Sequence, residues 1–177
     1  MIRKGKPSLN NQGGLTRVYV YKVSQFTLDV EWPKKGDIVA GKLAFMPTVA
    51  LASAARVIFD VKENKANSTG STTLANYTYL HGLKGKVAGY SVEKYTGVEG
   101  LEGEDLIIVA VRPNGDRLVL GQTYKYMKMI ISDDFGAGAE GYVGSDIEFF
   151  QVDAVDFRPP MLDAAVVITS EAVVAYV

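Results

Sequence analysis

The chain has 177 residues, 47% of them apolar and 22% charged, which is the balance of a globular protein and enough length for one domain with a real core. A formal net charge of −1 argues against a general nucleic-acid binder, and the absence of cysteine excludes disulfides, thiolate metal sites and cysteine nucleophiles. No apolar run approaches the ~18 residues that a membrane helix needs, and the basic start lacks the apolar core of a secretory leader, so a protein made in a cytoplasm is expected.

Residues 1–14 are polar and glycine-rich and end in Asn10, Asn11, Gln12, Gly13 and Gly14; they read as a flexible N-terminal arm. A single β-rich domain is expected over 15–177, with 161–177 a candidate C-terminal extension. Residues 15–23, with Val18, Tyr19, Val20 and Tyr21, have strand character. From 26 to 32, Phe26, Leu28, Val30 and Trp32 alternate with Thr27, Asp29 and Glu31, the pattern of a strand with one buried side. Pro33 and Gly36 end it, and residues 37–46 are expected to form another strand. Residues 48–55 fit either a short helix capped by Thr48 or a strand, and 56–62 read as a strand.

Residues 62–73, which include Asn64, Asn67, Ser68 and Thr69, are polar without periodicity and read as a long loop. Strand character returns over 74–79, followed by expected turns around Gly82, Gly85 and Gly89. Residues 91–103 are the best helix candidate, weakened by three glycines. Two β-branched runs then meet at Asn114-Gly115, the pair that favours a type I′ hairpin. Residues 133–145 read as a second glycine-rich loop, holding Asp133, Asp134, Phe135, Glu140 and Tyr142. Residues 146–157 read as a strand whose apolar phase slips after Phe149.

Little of this carries reaction chemistry. Gly136, Gly138 and Gly141 spell G-x-G-x-x-G, but a dinucleotide site needs a helix to follow, and a strand pattern follows instead. Asp133, Asp134, Glu140 and Asp146 fit no EF-hand spacing and read as a solvated turn. His81 is the only histidine and lacks a nucleophile motif beside it. The glycosylation sequons at Asn67 and Asn76 have no consequence without a leader. No catalytic residue, cofactor or metal is expected. Strand tyrosines such as Tyr19, Tyr21, Tyr124 and Tyr126 suit either the interior or a subunit interface.

The order of these features resembles phage tail tube proteins and their type VI secretion relatives. The features that carry it are the glycine-rich start, the polar loop 62–73, the turn region 80–86, the helix candidate 91–103, the hairpin around Asn114-Gly115 and the loop and strand over 133–157. The resemblance implies a mainly β fold, a β-barrel or rolled β-sandwich with one short flanking helix and terminal arms. It also implies a structural virion protein that forms hexameric rings, stacked into a tail tube that DNA passes without sequence-specific contact. Its partners would then be further copies of itself and other tail proteins. Candidate contacts between subunits are Asn10, Asn11, Gln12, Gly13, Gly14, Asn64, Asn67, Ser68, Thr69, Asp133, Asp134, Phe135, Glu140 and Tyr142. The alternative from the residues alone is a non-catalytic β-barrel or β-sandwich module that binds a ligand.

Overall fold

The computed structural model describes residues 15–26, 31–47, 56–60, 69–75, 78–88, 99–134, 144–166, 168 and 172–173. It is mainly β, with twelve strands hydrogen-bonded into one mixed sheet that does not close into a barrel. At its centre β1 (Arg17–Lys22) and β7 (Leu106–Val111) lie antiparallel along their full lengths. Both are buried on both faces, which is why β7 reads as an unbroken apolar run. Val18, Val20, Leu106, Ile108 and Ala110 face one core. Tyr19, Tyr21, Ile107 and Val109 face a second. One central wall therefore serves two apolar layers, and burial of each valine, leucine and isoleucine among these side chains stabilises the fold by roughly 1.5–3 kcal/mol.

The first layer is covered by β6 (Thr78–Ala88), β9 (Met127–Asp134) and β10 (Gly144–Gln151), through Leu83, Met127, Met129, Ile147 and Phe149. β5 (Thr69–Ala75) extends this set by pairing with β6. The second layer is covered by β8 (Arg117–Leu120), β3 (Lys42–Leu43), β11 (Met161–Leu162) and the buried Trp32, with β2 (Ile38–Val39) outermost. On the far side of β1, β4 (Arg56–Asp60) pairs antiparallel with it and β12 (Ala172–Val173) pairs parallel with β4.

Several local expectations are corrected. Residues 37–46 form two two-residue strands instead of one. Ala40 and Gly41 have φ of 51° and 81°, so the chain reverses there in a tight hairpin. Most of the strand expected over 26–32 lies outside the described residues, 27–30 among them; Phe26 makes a β-bridge, and Trp32 lies in irregular chain, held by a backbone pair with Thr123 (Thr123 N–H to Trp32 O, 2.9 Å). What reads as one strand over 74–79 is a reversal, since Ala75 pairs with Thr78. Gly82 and Gly85, expected in turns, sit inside β6, because a strand with a partner on each side has its backbone satisfied by the two ladders. The helix candidate lies mostly outside the described residues; of its described end, Glu99 is helical and residues 100–103 form a turn. Lys22 pairs with Glu104 just beyond it at 2.7 Å.

The hairpin at Asn114-Gly115 is present, but not as a type I′ turn. Gly115 N–H donates to Arg112 O at 2.9 Å and Arg112 N–H to Asp116 O at 2.8 Å, so the turn starts at Arg112 with Pro113 in its second position. Only Gly115 has positive φ, at 85°. Proline's fixed φ favours a type I turn with a glycine bulge over a mirror-image turn. The strand expected over 146–157 ends at Gln151. Burial alternates cleanly from Ile147 to Gln151, and the apparent slip is the strand's end, at the bend formed by Val152 and Asp153.

Candidate functional site

Two places stand out as candidates, and they differ in kind. The first is a buried polar hub. The only buried polar side chains among the described residues are His81, Gln122, Thr123 and Gln151. His81 Nε2 lies 3.1 Å from Phe157 O, and Gly121 N–H donates to His81 Nδ1 at 3.3 Å. A carbonyl only accepts and an amide N–H only donates, so the ring is neutral with its proton on Nε2. Burial pushes its pKa down to about 4, opposed by the bond to Phe157.

Gln151 accepts His81 N–H at 3.0 Å and donates to Lys125 O at 3.0 Å. Gln122 donates to Glu31 Oε1 and Pro33 O, and Thr123 Oγ1 accepts Trp32 N–H. These bonds tie the loop between β8 and β9 to β6, to the end of β10 and to the segment around Trp32. Each His81 nitrogen is engaged by backbone, so the ring acts as a brace, with no lone pair open to a substrate. The turn expected at His81-Gly82 is thereby corrected.

The second place is the outward face of β6, β10 and β9. Period-two geometry sends Leu83, Ile147, Phe149 and Met129 inward and leaves Lys84, Asp146, Glu148, Ile130 and Ser132 outward. Register places Lys84, Glu148 and Ile130 in one row across the three strands. Lys84 Nζ meets Glu148 Oε2 at 2.8 Å, and Ile130 stays 55% exposed beside that pair. Lys84, Ile130, Ser132, Asp146 and Glu148 line an open hollow of about 260 Å³.

This face continues past the core. Ile131 is the last β9 residue packed against the first core, while Ser132 and Asp133 are exposed. The ladder nevertheless runs on to the Asp134–Gly144 pair, and Ser145 Oγ donates to Asp133 Oδ1 at 2.7 Å. Beside the overhang, β5 pairs with β6 alone, so none of the described strands lies on its other edge. Its seven residues hold no charge and no proline, the two common devices that protect a sheet edge.

Of the expected contact residues, Asp133 and Asp134 lie in β9 and Thr69 opens β5. The expected loops are therefore shorter than the sequence suggests, because strand pairing reaches into both. Asn10, Asn11, Gln12, Gly13, Gly14, Asn64, Asn67, Ser68, Phe135, Glu140 and Tyr142 lie outside the described residues, as do the glycines of the G-x-G-x-x-G pattern. Asp133 and Asp146 do not converge on one point: Asp133 pairs with Ser145 and Asp146 with Ser132 across the ladder. Among the described residues, no three His, Asp or Glu side chains gather as a metal site would need. The hub and the Lys84, Glu148 and Ile130 row are missed by the sequence reading. The alternation of residues 144–151 already placed Asp146 and Glu148 on one face, but only strand pairing brings Lys84 and Ile130 beside them.

Comparison with protein-family models, with curated proteins and with solved structures gives no significant match. No described helix is long and apolar enough to cross a membrane.

Proposed function

We propose that this chain is a structural subunit that joins copies of itself into rings, stacked as the tube of a bacteriophage tail through which DNA passes. The observation that supports this reading best is the edge of β5, seven uncharged residues with no described strand on its outer side, next to a ladder of β9 and β10 that runs past the core to the Asp134–Gly144 pair. A strand edge of that kind invites another chain, and a closed ring is the assembly that uses every copy's edge and leaves none free. The polar segments 62–68 and 135–143 adjoin these strands in sequence, and together with 1–14 they are the proposed contacts between neighbouring rings. In this reading the chain catalyses no reaction, and the virion tail is its destination after synthesis in the host.

Size-exclusion chromatography with light scattering, followed by negative-stain imaging, tests the proposal. Rings or tubes that grow with protein concentration are expected, and a monomer at every concentration rejects it. The hollow beside Ile130 supports a second reading, a small-ligand module. Its volume lies below the ~300 Å³ at which enclosing ligand pockets begin, and it is open on one side, so assembly is the stronger reading.

A further inference from the structure

We propose that Asn114 is a self-modification site, converted to aspartate and isoaspartate when the tip of the β7–β8 hairpin opens, and that Asp116 holds that tip closed. The inference stands apart from self-assembly. Asn114-Gly115 is the only Asn-Gly pair in the chain. At such a pair the glycine nitrogen is the nucleophile and the asparagine carboxamide the electrophile. Glycine carries no side chain to obstruct the approach, and the space around Gly115 is open. Both residues are exposed, so water reaches the product of the first step.

That step closes a ring. The Gly115 nitrogen bonds to Asn114 Cγ, the Cγ–Nδ2 bond breaks, and the Gly115 amide proton leaves with Nδ2 as ammonia. Water then adds to either carbonyl of the cyclic imide. Opening on one side gives aspartate; opening on the other gives isoaspartate, which puts an extra methylene into the backbone. Water is the sole co-reactant.

The closed hairpin keeps the two reacting groups occupied elsewhere. Gly115 N–H donates to Arg112 O at 2.9 Å, which commits the nucleophilic nitrogen to the turn. Asn114 Oδ1 accepts Asp116 N–H at 3.0 Å, and Asn114 Nδ2 donates to Asp116 Oδ2 at 2.7 Å. One residue thus clamps both ends of the carboxamide, and the bond to Nδ2 is charge-assisted and must break before ammonia departs. The tip is also the least braced part of the hairpin. The ladder stops at the Val111–Arg117 pair, and beyond it Arg112 N–H donates to Asp116 O at 2.8 Å. Opening the tip therefore leaves β7 and β8 paired, as a local fluctuation does. After conversion the new carboxylate has no N–H to offer Asp116 and repels it, so either product favours the open tip.

Peptide mapping by mass spectrometry tests this on full-length protein aged in mildly alkaline buffer. Wild type and Asp116→Ala are each aged folded, as shown by circular dichroism, and in denaturant. In denaturant Asn114 is expected to convert equally fast in both, and faster than in folded wild type. Folded Asp116→Ala is expected to convert about tenfold faster than folded wild type, the effect of losing one charge-assisted hydrogen bond. No conversion at Asn114 in denaturant overturns the site. Folded wild type that converts as fast as denatured wild type overturns the guard, and that comparison decides alone if Asp116→Ala does not fold. A folded Asp116→Ala protein that converts no faster than wild type, or more slowly because the carboxylate promotes attack, overturns the guard as well.

Discussion

His81 makes the sharpest single-residue test of the hub. Its pKa falls from the usual 6.5 to about 4, so the unfolded chain takes up its proton at a higher pH than the folded one. Above pH 6.5 neither state is protonated and the group has no effect on stability. As pH falls from 6.5 towards 4 the unfolded state gains a proton that the folded state refuses, and stability declines by up to about 3 kcal/mol. His81→Gln removes that slope, so denaturant melts between pH 7 and 4 are expected to run flatter than wild type, from a lower starting stability. Gly121 is the matching steric test. Its φ is 86°, and a Cβ there would meet Met127 Cγ at 2.8 Å and Leu106 O at 3.3 Å. Gly121→Ala is expected to cost about 2 kcal/mol or more, read as a lower denaturant midpoint. Gly115 shares the positive φ but has open space around it, so Gly115→Ala is expected to cost only about 1 kcal/mol.

At the scale of elements, the strands with one-sided or two-sided apolar patterns were readable in the sequence. β1, β4, β7 and β8 follow from β-branched and aromatic runs, and the hairpin joining β7 and β8 follows from Pro113, Asn114 and Gly115. What the sequence could not give depends on partners distant along the chain. β6 runs through Gly82 and Gly85 because β5 and β10 flank it, and β5 forms from Thr- and Ser-rich chain because β6 offers a template. Local propensity favours loop at both places, and pairing overrides it. The polar hub was hidden for the same reason: His81 lies 70 residues from Gln151 and 40 from Gly121 beside Gln122, and they meet only through the fold. These findings also narrow a deletion test. Removing residues 62–73 would cut into β5, whereas removing 62–68 spares it. The shorter deletion is expected to leave melting nearly unchanged and to abolish ring stacking in negative-stain images; stacked tubes from that variant would show the loop is not the contact between rings.

For the whole molecule, the account turns on edges. The sheet has a two-layer core built on one shared wall, so the subunit is able to fold before it assembles. Among the described strands β5 closes one end of the pairing order with only β6 beside it, and its seven residues lack the charges and prolines that keep strands apart. A subunit of this design is expected to gain thermal stability with concentration, because assembly draws on the folded state alone. The most direct measurement is the mass of the purified protein across a range of concentrations, by light scattering or sedimentation. The account predicts a rise from the 19.2 kDa single chain to a closed ring and then to tubes. A mass of one chain at every concentration, with no change in melting temperature, would contradict it.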